Sequence, residues 1–275
     1  MKVIEQFLKS KTHNESDCED SLFVSEHFAA VIDGTTSKSN LKYRNETSGK
    51  ACSQVIKKAL EELPVNATVL QAVKFLTSAV FSMYKESGIQ EQVLNSPSER
   101  ASASIVIYSS TRNEIWMVGD CQCWIDGTYY SNTKAIDSLL SDIRSLFIKT
   151  ELKQGISLRT IQNNDSGREY ITPLLKRQSV FQNSKETNKF TFGVIDGFNV
   201  PESEIKVIKL SEPTTIILAT DGYPRVFNTL AQSEGYLKKI LSNDPLCFQE
   251  FKSTKGLKPG NCSFDDRAFL SLILR

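Results

Sequence analysis

The chain has 275 residues, 40% of them hydrophobic and 24% charged, which is the ordinary make-up of a globular chain with a substantial core. Its net charge of +1 argues against a broad basic surface for nucleic acid or anionic lipid, and its longest apolar runs stop far short of a membrane span. Six cysteines (Cys18, Cys52, Cys121, Cys123, Cys247, Cys262) form no CxxC pair and have only His13 and His27 for company, so neither a zinc site nor a disulfide framework is expected. The N-terminus, MKVIEQFLKSKTHNES, has no apolar core of signal-peptide length, and the expectation is an intracellular, cytoplasmic protein.

Residues 21–25 and 28–32 read as two short strands joined at Glu26-His27. In a tight antiparallel pair the start of one strand lies beside the end of the next, so Asp20 and Asp33 fall at one end of this hairpin. Residues 46–63 carry Ala51, Val55, Ala59, Leu60 and Leu63 on one helical face and stop at Pro64. A second helix is expected over 67–85, where Thr68 and Gln71 have capping-box spacing and Val69, Val73, Leu76, Val80 and Tyr84 form the stripe. A loop, 87–100, follows.

Strands at 102–109 and 114–118 flank a turn, and the second runs into Gly119-Asp120. Residues 122–130 read as a hairpin about Asp126-Gly127. Helical pattern covers 135–154 and, more weakly, 167–182, before a polar loop at 183–188. Strands at 205–210 and 214–219 come next, the latter ending in Thr220-Asp221-Gly222. A helix is expected within 223–242 after a turn at Pro224, then an irregular stretch over 243–263, then a buried last strand over 268–274 behind Asp265-Asp266. With no linker and no repeat at fixed period, one domain over 1–275 fits best.

Four strands or strand-like runs end in Asp-Gly: at Asp33, Asp126, Asp196 and Asp221. The ordinary reading of Asp-Gly is a type I′ hairpin turn, in which both central residues take positive φ. After Gly127 the β-forming run Thr128-Tyr129-Tyr130 supports that reading, and after Gly197 the chain looks like a loop. After Gly34 and Gly222 it runs instead through polar or proline-containing residues toward helical pattern, so these two are not hairpins.

Five acidic positions therefore abut strands: Glu19-Asp20, Asp33, Asp120, Asp221 and Asp265-Asp266. If they converge, their mutual repulsion requires protons or cations to neutralise it. Oxygen donors without His or Cys select hard cations such as Mg²⁺ or Mn²⁺, and a pair of such ions turns a water into a nucleophile and clamps a phosphoryl group.

The stretches CEDSLFV (18–24), FAAVIDGTTS (28–37), ASASIVIY (101–108), IWMVGDCQCWIDG (115–127), IILATDGYPRVF (216–227) and SFDDRAFLSLIL (263–274) resemble, in order and spacing, the motifs of the PP2C (PPM) metal-dependent protein serine/threonine phosphatases. The resemblance implies an α+β fold of four layers, α/β/β/α, with a central antiparallel β-sandwich flanked by helices and a binuclear Mg²⁺ or Mn²⁺ site at one end. By that pattern Asp33 bridges both ions and is the central catalytic carboxylate, with the Gly34 carbonyl assisting. Asp221 and Asp265 hold the first ion, Glu19 and Asp20 support the second, and Asp120 serves a third, weaker one. The implied reaction is hydrolysis of phosphoserine or phosphothreonine by a metal-bridging hydroxide, in a monomeric enzyme whose partner is a phosphoprotein.

The chain departs from the pattern in three places. The glycines usual after Asp-Gly are replaced by Thr35, Thr36 and Ser37; the family's phosphate-binding arginine falls on Glu15, leaving Lys11 or His13 as substitutes; and the Leu-Thr-x-Asp-His segment is missing from 131–190. These departures leave a second reading, a PP2C-like pseudophosphatase or regulatory binding module with little activity, and a third, hydrolysis of small phosphate or nucleotide substrates. The absence of a Gly-x-x-x-x-Gly-Lys loop speaks against an NTPase of that design.

Overall fold

A computed structural model describes residues 1–36, 41, 43, 45–186, 188–210 and 214–274; Ser37, at the end of the 28–37 motif, lies outside them. Among the described residues, ten strands form two sheets of five. One runs β2 (Ser21–Val24), β3 (Phe28–Gly34), β4 (Ala103–Ser109), β5 (Glu114–Val118), β8 (Ile205–Lys209), and the other β1 (Lys2–Lys9), β10 (Arg267–Ile273), β9 (Thr215–Ala219), β6 (Gln122–Ile125), β7 (Thr128–Ser131). Every neighbouring pair is antiparallel.

The apolar run of β3 is continuous because both its faces are covered. Ala29 and Val31 enter the core between the sheets, among Val106, Met117, Leu218 and Leu270. Phe28, Ala30 and Ile32 face the other way, onto Ile56 and Leu60 of α1 (Ser48–Glu61) and Leu76 and Val80 of α2 (Val69–Glu86). Across the sandwich, Ile217, Ala219 and Phe269 pack with Tyr223, Phe264 and Leu237 of α7 (Leu230–Asn243). The result is the expected α+β arrangement of two antiparallel sheets between helical layers. Leu270 lies fully buried between the sheets. Leu270→Ala is expected to cost about 3–4 kcal/mol, measured as a lower midpoint of chemical denaturation; an unchanged midpoint would contradict this packing.

Beside the sandwich, α4 (Ala135–Lys153) and α6 (Ser166–Arg177) share a small core of Ile136, Leu140, Ile171, Leu175, Phe192 and Val194. The fully buried Arg144 fixes this unit to the loop before β10. Its guanidinium meets the Asp165 carboxylate at 2.6 Å and donates to the carbonyls of Cys247 (3.2 Å) and Ser253 (2.9 Å). A buried charge needs this kind of pairing to persist.

Most elements fall where the sequence puts them, including the capping box of Thr68 and Gln71 on α2. The hairpin at Asp126-Gly127 has the positive φ angles, 41° and 90°, that its turn requires. The differences are local. Residues 2–9 form β1, an edge strand of alternating half-buried and exposed residues, where no strand was expected. The 87–100 loop contains the short helix α3 (Gln90–Asn95), and another, α5 (Leu158–Asn163), precedes α6. Helix α7 begins only at Leu230, after the Thr229 side chain caps it by accepting from the Gln232 amide at 3.2 Å, so 223–229 is not helical. Among the described residues no helix is long and apolar enough to cross a membrane.

Candidate metal centre

The carboxylates are placed by strand register. Ser21 pairs with Ile32, which sets Asp20 and Asp33 at one end of the β2–β3 hairpin, and Asp33 itself stands opposite Ser104. Asp120 follows β5 through Gly119, whose positive φ of 84° turns the chain back toward β4. There the Ser104 hydroxyl donates to Asp120 Oδ1 at 2.5 Å and accepts from the Asp120 amide at 3.3 Å. On the second sheet, the buried Thr220 hydroxyl donates to Asp20 Oδ2 at 2.8 Å while accepting from the Ala268 amide at 2.9 Å, and Asp221 comes next in the chain. Thr220 thus joins the two sheets at the rim where the acids gather.

Asp33, Asp120 and Asp221 each offer a carboxylate oxygen such that the three lie within 4.8 Å of one another, the one such cluster among the described residues. All three are half-buried and line a cavity of about 250 Å³, together with Lys134, Arg168 and Lys255. Burial, then the charges of Asp20 and Asp120, push the Asp33 carboxyl well above its usual value. Asp221 is raised by burial and by Asp33 and Asp120, and Asp20 by burial and by Asp265 and Asp266. Asp120 behaves oppositely: burial opposes its ionisation, but Lys134, 2.7 Å from Oδ2, outweighs burial and holds it below the usual range.

The remaining acids are tied to lysines and backbone. The Lys11 ammonium reaches Glu19 Oε2 (3.2 Å), Asp265 Oδ1 (3.5 Å), Asp266 Oδ2 (3.1 Å) and the Thr36 hydroxyl (3.1 Å). Glu19 also accepts from Thr47 (2.7 Å) and Thr36 (2.6 Å). Asp266 accepts from the amides of Lys11 (2.7 Å) and Glu19 (3.1 Å), which pins the end of β1 to the start of β2. Lys255 forms an ion pair with Asp265 Oδ2. Burial opposes the charge of Asp265, yet Lys255 and Lys11 together keep its carboxyl below the usual value.

An oxygen-only donor set of this spacing fits a hard divalent cation, because its three carboxylates have a single ion pair, Asp120 with Lys134, to balance them among the described residues. Over its full length the chain matches the serine/threonine phosphatase Stp1 of Staphylococcus aureus, with a TM-score of 0.50, 10% identity, and coverage of 100% of this chain and 96% of that one. The fold is that of the PP2C-type serine/threonine phosphatases. Other solved structures with this PP2C-type likeness include the PstP catalytic domain in complex with two manganese ions (TM-score 0.46, 16% identity, 99% of each chain). RsbX in complex with magnesium is another (TM-score 0.45, 15% identity, 100% of this chain and 99% of that one). No protein-family model and no curated protein matches the sequence.

Within this PP2C-type frame the structure brings Asp33, Asp120 and Asp221 together and puts Asp265 on the same cavity. Glu19 and Asp20 are buried behind them, bonded to Thr47, Thr36 and Lys11 and to Thr220 respectively. Gly34 lies beneath the first turn of α1. Lys11 is enclosed by carboxylates, whereas His13 is exposed and lines no part of the cavity. Glu15 folds back to accept from the Ser10 amide at 3.2 Å. Lys134, Lys255 and Arg168, which line the same cavity, carry no signal in the sequence. Each sits in a segment whose motif content is low, and only the fold carries it to the rim.

Proposed function

We propose that this chain is a single-domain, metal-dependent phosphoric monoester hydrolase that removes phosphate from phosphoserine or phosphothreonine in proteins. The observation that carries the reading is the half-buried Asp33, Asp120 and Asp221 cluster opening on a cavity with cationic side chains in its lining. A Mg²⁺ or Mn²⁺ ion held by these carboxylates supplies Lewis acidity to a phosphoryl oxygen and to the attacking water. Ser104 and Lys134 fix the Asp120 carboxylate in place. Arg168 donates to the Thr254 carbonyl and enters no ion pair among the described residues, so its guanidinium is the group we assign to the substrate phosphate. The six cysteines, all free, agree with a cytoplasmic setting.

The test is Mn²⁺-dependent hydrolysis of a generic aryl phosphate. Asp33→Ala is expected to lower the rate by about 10²–10³-fold, and equal rates in the two proteins would rule the mechanism out. A second reading, a binding module with the same fold, is favoured by the ion pairs that Lys11, Lys134 and Lys255 make with the acids. Calorimetry separates the two: no Mn²⁺ binding at millimolar concentration selects the module.

A further inference from the structure

Apart from Asp20, which accepts from the Thr220 hydroxyl, the acids at the rim fall into two groups with different partners. In the first, Asp33 and Asp221 meet no ammonium or guanidinium within ion-pair distance among the described residues, and Asp120 has one ion pair. In the second, every carboxylate oxygen of Glu19, Asp265 and Asp266 is already engaged. Glu19 Oε1 accepts from Thr47 and Oε2 from Lys11 and Thr36. Asp265 Oδ1 accepts from Lys11 and from the Asp266 amide, and Oδ2 holds Lys255. Asp266 Oδ1 accepts from the Lys11 amide, and Oδ2 from the Lys11 ammonium and the Glu19 amide.

We infer that this site takes one divalent cation, at Asp33, Asp120 and Asp221, and that the ammonium groups of Lys11 and Lys255 cover Glu19 and Asp265, carboxylates that the two-cation pattern assigns to different ions. The inference rests on the metal-dependent reading above and departs from the two or three ions that the sequence resemblance implies. A Lys ammonium is a compact point charge with three donors. Lys11 places that charge against three carboxylates and a hydroxyl, an oxygen cage of the kind a hard cation otherwise fills. Its side chain is 20% exposed and that of Lys255 25%, so water screens each charge only in part. A divalent ion binding at Glu19 or Asp265 would have to expel the ammonium group there and break the bonds that fix the carboxylate, or meet the repulsion of an ammonium that stayed. At the Asp33 cluster an ion meets the reverse situation, with carboxylate repulsion to relieve.

The experiment counts ions rather than turnover. The full chain, stripped with EDTA, is titrated with Mn²⁺ by calorimetry, and the loaded protein is examined by electron paramagnetic resonance. One Mn²⁺ per chain with the spectrum of an isolated ion is expected for the wild type. The Lys11→Met/Lys255→Met double variant is expected to take another ion and to show the spectrum of a spin-coupled pair, whereas Lys11→Arg/Lys255→Arg stays at one. Circular dichroism melts establish that each variant is folded. A wild type that takes two coupled ions overturns this inference and leaves the hydrolase reading standing, and so does a folded methionine variant that still takes one. No binding at all overturns both.

Discussion

Asp33→Asn is expected to melt at a higher temperature than the wild type when both are free of divalent cations, and to lose the gain that Mn²⁺ gives the wild type. The Asp33 carboxyl is raised by burial first and then by Asp20, Asp120 and Asp265, so an ionised Asp33 is a cost to the folded chain. Two unit charges about 5 Å apart repel by about 3 kcal/mol at an effective dielectric constant near 20. Partial protonation relieves some of this, and a net gain of about 1–3 kcal/mol is expected for the neutral amide. In a chain of this length that corresponds to roughly 2–8 °C. The pH dependence has a definite sign. A carboxyl whose folded value is raised contributes stability that is complete below its ordinary value of 3.8 and is lost as pH climbs through the folded value. The cation-free wild type therefore weakens as pH rises from the acid range, and the advantage of asparagine widens. Mn²⁺ reverses the ranking, because binding at a hundredfold excess over its dissociation constant is worth about 2.7 kcal/mol to the wild type. Thermal melts in EDTA and in MnCl₂ between about pH 5 and about pH 8 read all of this. An asparagine variant that melts lower than the wild type in EDTA would mean that the acids at this rim do not strain the fold.

That tension at Asp33 was legible in the sequence because the acids are covalently attached to elements that announce themselves. Phe28–Gly34 is buried on both faces, so its apolar run marks the strand, and the residue that ends it must stand at the sheet rim. The same holds for Asp221 behind β9 and for Asp265 before β10. The partners of these acids were not legible. Lys11 belongs to the turn after an edge strand whose alternation, KVIEQFLK, is diluted by charged residues on its exposed side. Lys255 lies in the irregular stretch before β10, and what holds that stretch is the buried Arg144 reaching the carbonyls of Cys247 and Ser253 from a distant helix. Arg168 is carried to the cavity by the packing of α6 on α4, which depends on Ile136, Leu140, Ile171 and Leu175 meeting across the segment that holds α5. Short-range pattern places an element; which cation faces which carboxylate is decided by tertiary contacts between residues that carry no motif. Helices α3 and α5 escaped for a related reason, since six residues are too few to display a period.

The same separation can be tested on the glycines of two Asp-Gly pairs that look alike in sequence. Gly127 has a φ of 90° and open space around it, so Gly127→Ala meets no neighbour and suffers only backbone strain, about 1–2 kcal/mol. Gly34 has no left-handed φ; a Cβ there would collide with the carbonyl oxygens of Glu19 and Gly49, and a Cβ on Gly49 would in turn meet the carbonyl oxygens of Gly34 and Thr35 at 2.7 Å. Strand β3 and the first turn of α1 are in backbone contact at that point, and backbone cannot rotate aside as a side chain can. Gly34→Ala is therefore expected to cost about 3 kcal/mol or more. Relief requires either α1 or the Glu19 segment to move, and Thr47 at the start of α1 is bonded to Glu19, so the rim shifts with it. Mn²⁺ affinity is expected to fall by at least about tenfold in Gly34→Ala and to stay at the wild-type value in Gly127→Ala. Urea denaturation gives the first comparison and calorimetric titration the second. Equal losses of stability, or a Gly34→Ala protein that binds Mn²⁺ as the wild type does, would show that the close approach of α1 to β3 is not what shapes the carboxylate cluster.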